Sequence, residues 1–69
     1  MSMLVTAPNL TLPDETYAAL IQIHEGLTEG ESHALNARLL LILMNQIGDH
    51  EVLVKAMRLA RDPKGTATG

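Results

Sequence analysis

The chain has no cysteine and a single aromatic residue, Tyr17. The first absence excludes disulfides and thiolate metal sites. The second means that any core must be assembled from Leu, Ile, Val, Met and Ala. Positive charge is scarce as well: five Lys and Arg stand against eight Asp and Glu, a net charge of −3 with His neutral. Binding to a phosphate backbone rests on clustered Lys and Arg, so nucleic acid is not an expected partner. A regulator that reads nucleic acid through Lys55, Arg58 and Arg61 is the weakest function class. Those residues read more simply as a solvated edge carrying a Glu51–Lys55 i,i+4 pair.

Other absences narrow the field further. The opening MSMLVTAPNL has neither the basic region nor the sustained apolar stretch of a signal peptide. The apolar segment 39–47 is too short for a membrane span, which needs about 20 residues. The expectation is a cytoplasmic protein that engages no membrane. No glycine-rich phosphate loop follows a strand, and no Ser or Cys stands in a nucleophile elbow. Helices this short leave little room for a sealed pocket of ~300 Å³, the lower range for ligand sites. No catalytic residue and no cofactor is expected, and the chain reads as a non-enzyme.

What is present is an aliphatic, helix-forming sequence in a chain of 69 residues. Below ~70–80 residues a single core seldom supplies more than ~3–5 kcal/mol, and with disulfides excluded, oligomerisation is the leading remedy. Punctuation divides the chain into an extended N-terminal arm (1–12), a helical domain (13–61) and a tail (62–69) expected to be disordered. The predicted fold is all-α, a three-helix protomer with helices at about 13–25, 29–47 and 50–61, completed by dimerisation. Pro13 opens the first helix, with Thr11 as candidate N-cap, and Asp14 and Glu15 lie at the positive end of its dipole. Gly26 is placed to stop it in the left-handed conformation, with Leu27 folding back toward Ile21. Thr28-Glu29-Gly30-Glu31 is a capping box for the second helix. Gly48 ends that helix and Asp49 caps the third, whose Lys55, Arg58 and Arg61 suit its negative end.

At about 100° per residue, the first helix gathers Tyr17, Leu20, Ile21 and His24 on one stripe. The third gathers Leu53, Ala56, Met57 and Ala60, widened by Val52 and Leu59. Each is predicted to bury that face against the second helix. The second differs, because Leu35, Leu39, Leu40, Leu41, Ile42, Leu43, Met44 and Ile47 point almost all round it, leaving one polar line through Glu31, Arg38 and Asn45. Two flanking helices shield two stripes of ~100° each, so a sector stays bare. Three or four large side chains there represent several kcal/mol of unrealised burial at roughly 1.5–3 kcal/mol each. The expected interface therefore comprises Leu40, Leu41, Met44 and Ile47, with Arg38 and Asn45 giving specificity, and a second copy in a two-fold pair is the simplest cover. The alternative is that the arm lies across the sector through Met3, Leu4 and Val5. Arg38 and Asn45 stand either on a solvated edge or in a polar seam that fixes register.

Three histidines invite a metal hypothesis. The second helix, about 25 Å long at 1.5 Å per residue, separates His24 and His33 from His50, so the three do not meet in one chain. A site from His24 and His33 with Glu29 or Glu31 lacks a recognised ligand spacing. His24 reads first as a core imidazole bonded to a backbone carbonyl or to Tyr17, and second as a ligand or proton-transfer group at an interface. Asp49, His50 and Glu51 diverge on a helix and make no triad.

Asp14, Tyr17, HEGL at 24–27, LNARL at 35–39 and NQIGDH at 45–50 together resemble a bacterial domain-of-unknown-function family of small helical proteins, DUF2783, over about residues 9–61. The resemblance implies a soluble helical protein, encoded beside flavin-dependent monooxygenases and other enzymes of aromatic or organic-acid breakdown. It brings no catalytic residues. Met44 departs from the family pattern, which implies a small residue there.

The expected function is a non-catalytic helical protein–protein interaction module, self-associating or a small accessory subunit of a larger, flavin-dependent metabolic enzyme encoded nearby. The alternative is a small metal- or ligand-binding protein built on His24 and His33 with Glu31.

Overall fold

In the computed structural model, residues 3–64 are described. They form three helices and, among the described residues, no strand: α1 (Pro13–Ile23), α2 (Glu29–Ile47) and α3 (His50–Arg61). The chain is all-α, as the sequence predicts. Residues 1 and 2 of the expected arm and 65–69 of the expected tail lie outside the described residues.

Each helix boundary has a local cause. Pro13 takes the first helical position of α1, where its missing N–H costs nothing. Leu12 thereby becomes the N-cap, and its carbonyl accepts from the N–H of Thr16 at 2.9 Å. No side chain caps this end, so the expected cap by Thr11 is not made; Thr11 stands one residue too early.

α1 also stops at Ile23 rather than at residue 25, and His24 supplies the reason. Its ring Nδ1 donates to the carbonyl of Leu20 at 2.7 Å, the acceptor that a regular helix would assign to the backbone N–H of His24 itself. That N–H turns instead to the carbonyl of Ile21 at 3.0 Å, and the N–H of Glu25 to that of Gln22 at 3.2 Å. The last turn is tightened to three-residue spacing, and Gly26, at φ 77°, reverses the chain.

α2 opens with the complete capping box. The N–H of Glu31 donates to Oγ1 of Thr28 at 3.1 Å, and the N–H of Thr28 donates to Oε1 of Glu31 at 2.9 Å. It closes at Gly48, left-handed at φ 71°, whose N–H donates to the carbonyl of Met44 at 2.8 Å. Asp49 follows at once: its Oδ1 accepts from the N–H groups of Glu51 at 3.0 Å and Val52 at 3.2 Å, capping α3. Arg58 and Arg61 occupy the last turn of α3, as its dipole favours.

The helices so defined are not packed together. Among the described residues no side chain is fully buried, and no two helices lie packed along each other. The predicted burial of α1 against α2 is therefore corrected. Tyr17 is 65 % exposed, and Leu20 and Ile21 are exposed with it. α3 comes nearer to expectation, with Val52, Leu53 and Ala56 half-buried, but Met57, Leu59 and Ala60 on the same face are exposed. The physical reason is the geometry of the joints. Each joint is short and closes on a glycine at positive φ, Gly26 or Gly48, with local backbone bonds, so the direction in which one helix leaves the other is set within the turn and not by side-chain packing.

Candidate interaction surface

α2 carries five exposed large apolar side chains, more than α1 or α3. Leu40, Leu41 and Ile47, three of the residues expected at the contact, are 59 %, 63 % and 52 % exposed. Met44 is half-buried, and Arg38 and Asn45 are exposed on either side of Leu41 along the helix, three residues before it and four after. The better-covered line of α2 runs through Ser32, Leu35 and Leu39, all half-buried, within about 60° of one another on the helix. Leu40 and Ile47 lie about a quarter-turn from that line and Met44 further round. The arm does not shield them: Met3 and Val5 are themselves exposed, and only Leu4 is half-buried.

Two apolar residues of α2 outside the predicted contact set are exposed as well, Ile42 and Leu43. Leu43 joins Leu40 and Ile47 in a stripe spaced by three and four residues, the spacing of a helix–helix seam. Asn36 continues that stripe by four residues toward the N-terminus. The pattern is present in the sequence, but on a helix apolar almost all round it has little contrast against the remaining Leu and Ile.

Helix length shows what the exposure means. α1 and α3 are 11 and 12 residues long, and isolated helices shorter than ~12–15 residues are marginal in water, most helical stability in proteins coming from packing of an apolar face. Ordering each residue costs roughly 1–2 kcal/mol of backbone entropy. Each large aliphatic side chain left open withholds a term of about 1.5–3 kcal/mol.

One polar contact ties α1 to α2. Nε2 of His24 lies 2.8 Å from Oδ1 of Asn36 while Nδ1 donates to Leu20. Both partners are acceptors, so both bonds are made when both ring nitrogens carry protons. The pKa of His24 is accordingly raised above 6.5, first by the Leu20 carbonyl and then by the Asn36 side chain. Bonding to a backbone carbonyl was among the expected readings of His24, with Asn36 as second partner in place of Tyr17. Asn36 carries no signal in sequence, because the pairing depends on how the turn at 24–28 swings α2.

The candidate metal residues are occupied elsewhere. Glu31 accepts from the N–H of Thr28, His24 is held as described, and Nε2 of His33 approaches Oε1 of Glu29 at 3.9 Å with both side chains in solvent, where such pairs contribute little. Among the described residues no three His, Asp or Glu side chains are grouped to hold a metal ion. An open depression lined by His50, Glu51, Val54, Lys55 and Arg58 belongs to α3 alone, so no second element encloses it. Among the described residues no helix is long and apolar enough to cross a membrane.

Fold and surface together define a small all-α protein whose helices are capped at their joints and uncovered on their apolar faces. A family model described as a protein of unknown function (DUF2783) matches residues 4–62, and the chain belongs to that family. The match takes in the arm from Leu4 as well as all three helices. No curated protein and no solved structure matches the chain.

Proposed function

We propose that the protein is a non-catalytic helical interaction module, cytoplasmic and bacterial, that works in association with another polypeptide: a copy of itself, a larger metabolic enzyme encoded nearby, or both. The observation that carries this reading is the lack of any buried side chain in 3–64 while α2 exposes Leu40, Leu41, Ile42, Leu43 and Ile47. Apolar surface on this scale marks a contact site in a soluble protein. The family resemblance supports an accessory role beside a flavin-dependent enzyme of aromatic or organic-acid breakdown. No observation favours the alternative of a metal-binding protein built on His24, His33 and Glu31.

The test is the state of the purified chain. Light scattering and circular dichroism should find it helical only as part of an assembly, either alone or after adding the co-purified enzyme. A helical, cooperatively melting monomer with no dependence on any partner would refute the reading.

A further inference from the structure

Building on the interaction-module reading, we infer that the polypeptide covering α2 is a second copy of this chain, paired about a two-fold axis with the two α2 helices antiparallel, and that the chain folds only as this pair forms.

Area is the first argument. The chain exposes 6095 Å², whereas a folded monomer of 7.5 kDa exposes about 4,200 Å². The excess is roughly 1,900 Å², and even if half of it is assigned to the chain ends, ~950 Å² remains, enough for the ~800 Å² per partner of a stable interface. One partner of similar size therefore suffices.

Charge is the second. Between Glu31 and Asp49 the only charged residue, with His neutral, is Arg38, and it lies on the far side of α2 from Leu40, Leu43 and Ile47. Those three form a stripe that a copy meets without like-charge repulsion, which would otherwise oppose self-pairing. Outside the stripe the charges are divided along the chain. Asp14, Glu15, Glu25, Glu29 and Glu31 precede Arg38 with no Lys or Arg among them, while all five Lys and Arg lie at or after position 38 and outnumber Asp49, Glu51 and Asp62 there, so the first part of the chain is acidic and the second mildly basic. An antiparallel pair sets the acidic half of each chain against the basic half of the other, whereas a parallel pair sets like against like. Antiparallel helix dipoles act in the same direction. Arg38 and Asn45 lie on the opposite side of α2, outside this seam.

Dilution of the intact chain tests the proposal without any substitution that might itself prevent folding. Sedimentation should give twice the mass of one chain, tagged and untagged copies should exchange into mixed pairs, and the melting midpoint should fall by roughly 5 °C for each tenfold dilution. Raising the salt concentration should lower it further. A chain that stays unfolded alone at every concentration overturns self-pairing yet leaves the interaction-module reading intact, since another protein must then supply the cover. A helical monomer overturns both. An assembly larger than two overturns the two-fold pair.

Discussion

α3 and α2 are consecutive helices joined only by Gly48 and Asp49, yet they stand in different relations to water. α3 segregates its residues: Glu51, Lys55 and Arg58 take one side, and Val52, Leu53 and Ala56 lie half-buried on the other. α2 has no such division, with Leu40, Leu41, Ile42 and Ile47 more than half exposed at different angles around it. A helix with one apolar face is satisfied by one neighbour. A helix apolar nearly all round needs several, and this chain offers α2 none along its length. The lesson is that a short chain can carry a complete set of helix signals and still lack the surface to finish its own fold.

The largest test of that contrast places a charge on each helix side. Leu43→Asp puts a carboxylate into the open stripe of α2 and should cost several kcal/mol, because an unpaired charge must be desolvated when the stripe is covered. Circular dichroism and sedimentation should show helix and assembly lost together. His50→Asp at the exposed first turn of α3 should stay within about 0.5 kcal/mol of the parent. Equal effects from the two would erase the distinction drawn between the helices.

A smaller effect separates the joints from the helix interiors. Gly48→Ala forces a Cβ into the left-handed region and should cost about 1–2 kcal/mol by thermal denaturation. Thr28→Ala, which removes half of the capping box, should cost ~1 kcal/mol. Gly30→Ala acts in the opposite sense. A Cβ there meets nothing within 4 Å, and the helix interior favours Ala over Gly by up to about 1 kcal/mol, so the melting point should rise.

The gentlest test is pH. His24 is raised above 6.5 by Leu20 and Asn36, so its contribution is complete below the ordinary imidazole pKa and is lost as pH rises through the raised value. Above that value one ring nitrogen has no proton to give, and the Asn36 amide must turn its Nδ2 toward the ring to keep a bond. Melting midpoints measured between pH 5 and 9 should therefore decline across the titration of His24 and flatten in His24→Gln. A midpoint that rises over the same window, or an unchanged decline in the variant, would remove the α1–α2 clasp from the account.

The legible parts of the fold are those with causes a few residues away. The capping box at 28–31, the left-handed glycines 26 and 48 and the Asp49 cap stand where the sequence places them, because each satisfies backbone groups within one turn. The two local errors both lie at the ends of α1. Leu12 rather than Thr11 is the N-cap because Pro13 takes the first helical position, and Ile23 rather than residue 25 ends the helix because the imidazole of His24 competes for a helix carbonyl. For the candidate site, the apolar character of α2 was legible, and which of its residues stand open was not. Leu40, Leu41 and Ile47 are exposed as required of a contact, whereas Leu43, Ile42 and the whole of the Tyr17–Ile21 face were assigned no part in it.

Taken alone, the sequence determined that this protein is helical, where α2 and α3 begin and end, and that its middle helix is too apolar for water. Those properties follow from backbone hydrogen bonding and residue spacing, which act over one or two turns. Only the tertiary structure decided that α1 and α3 leave α2 uncovered and that His24 meets Asn36. Burial and cross-helix bonds depend on the angle at which short joints aim whole helices, and an error of a few degrees at a glycine becomes many ångströms at the far end of a helix.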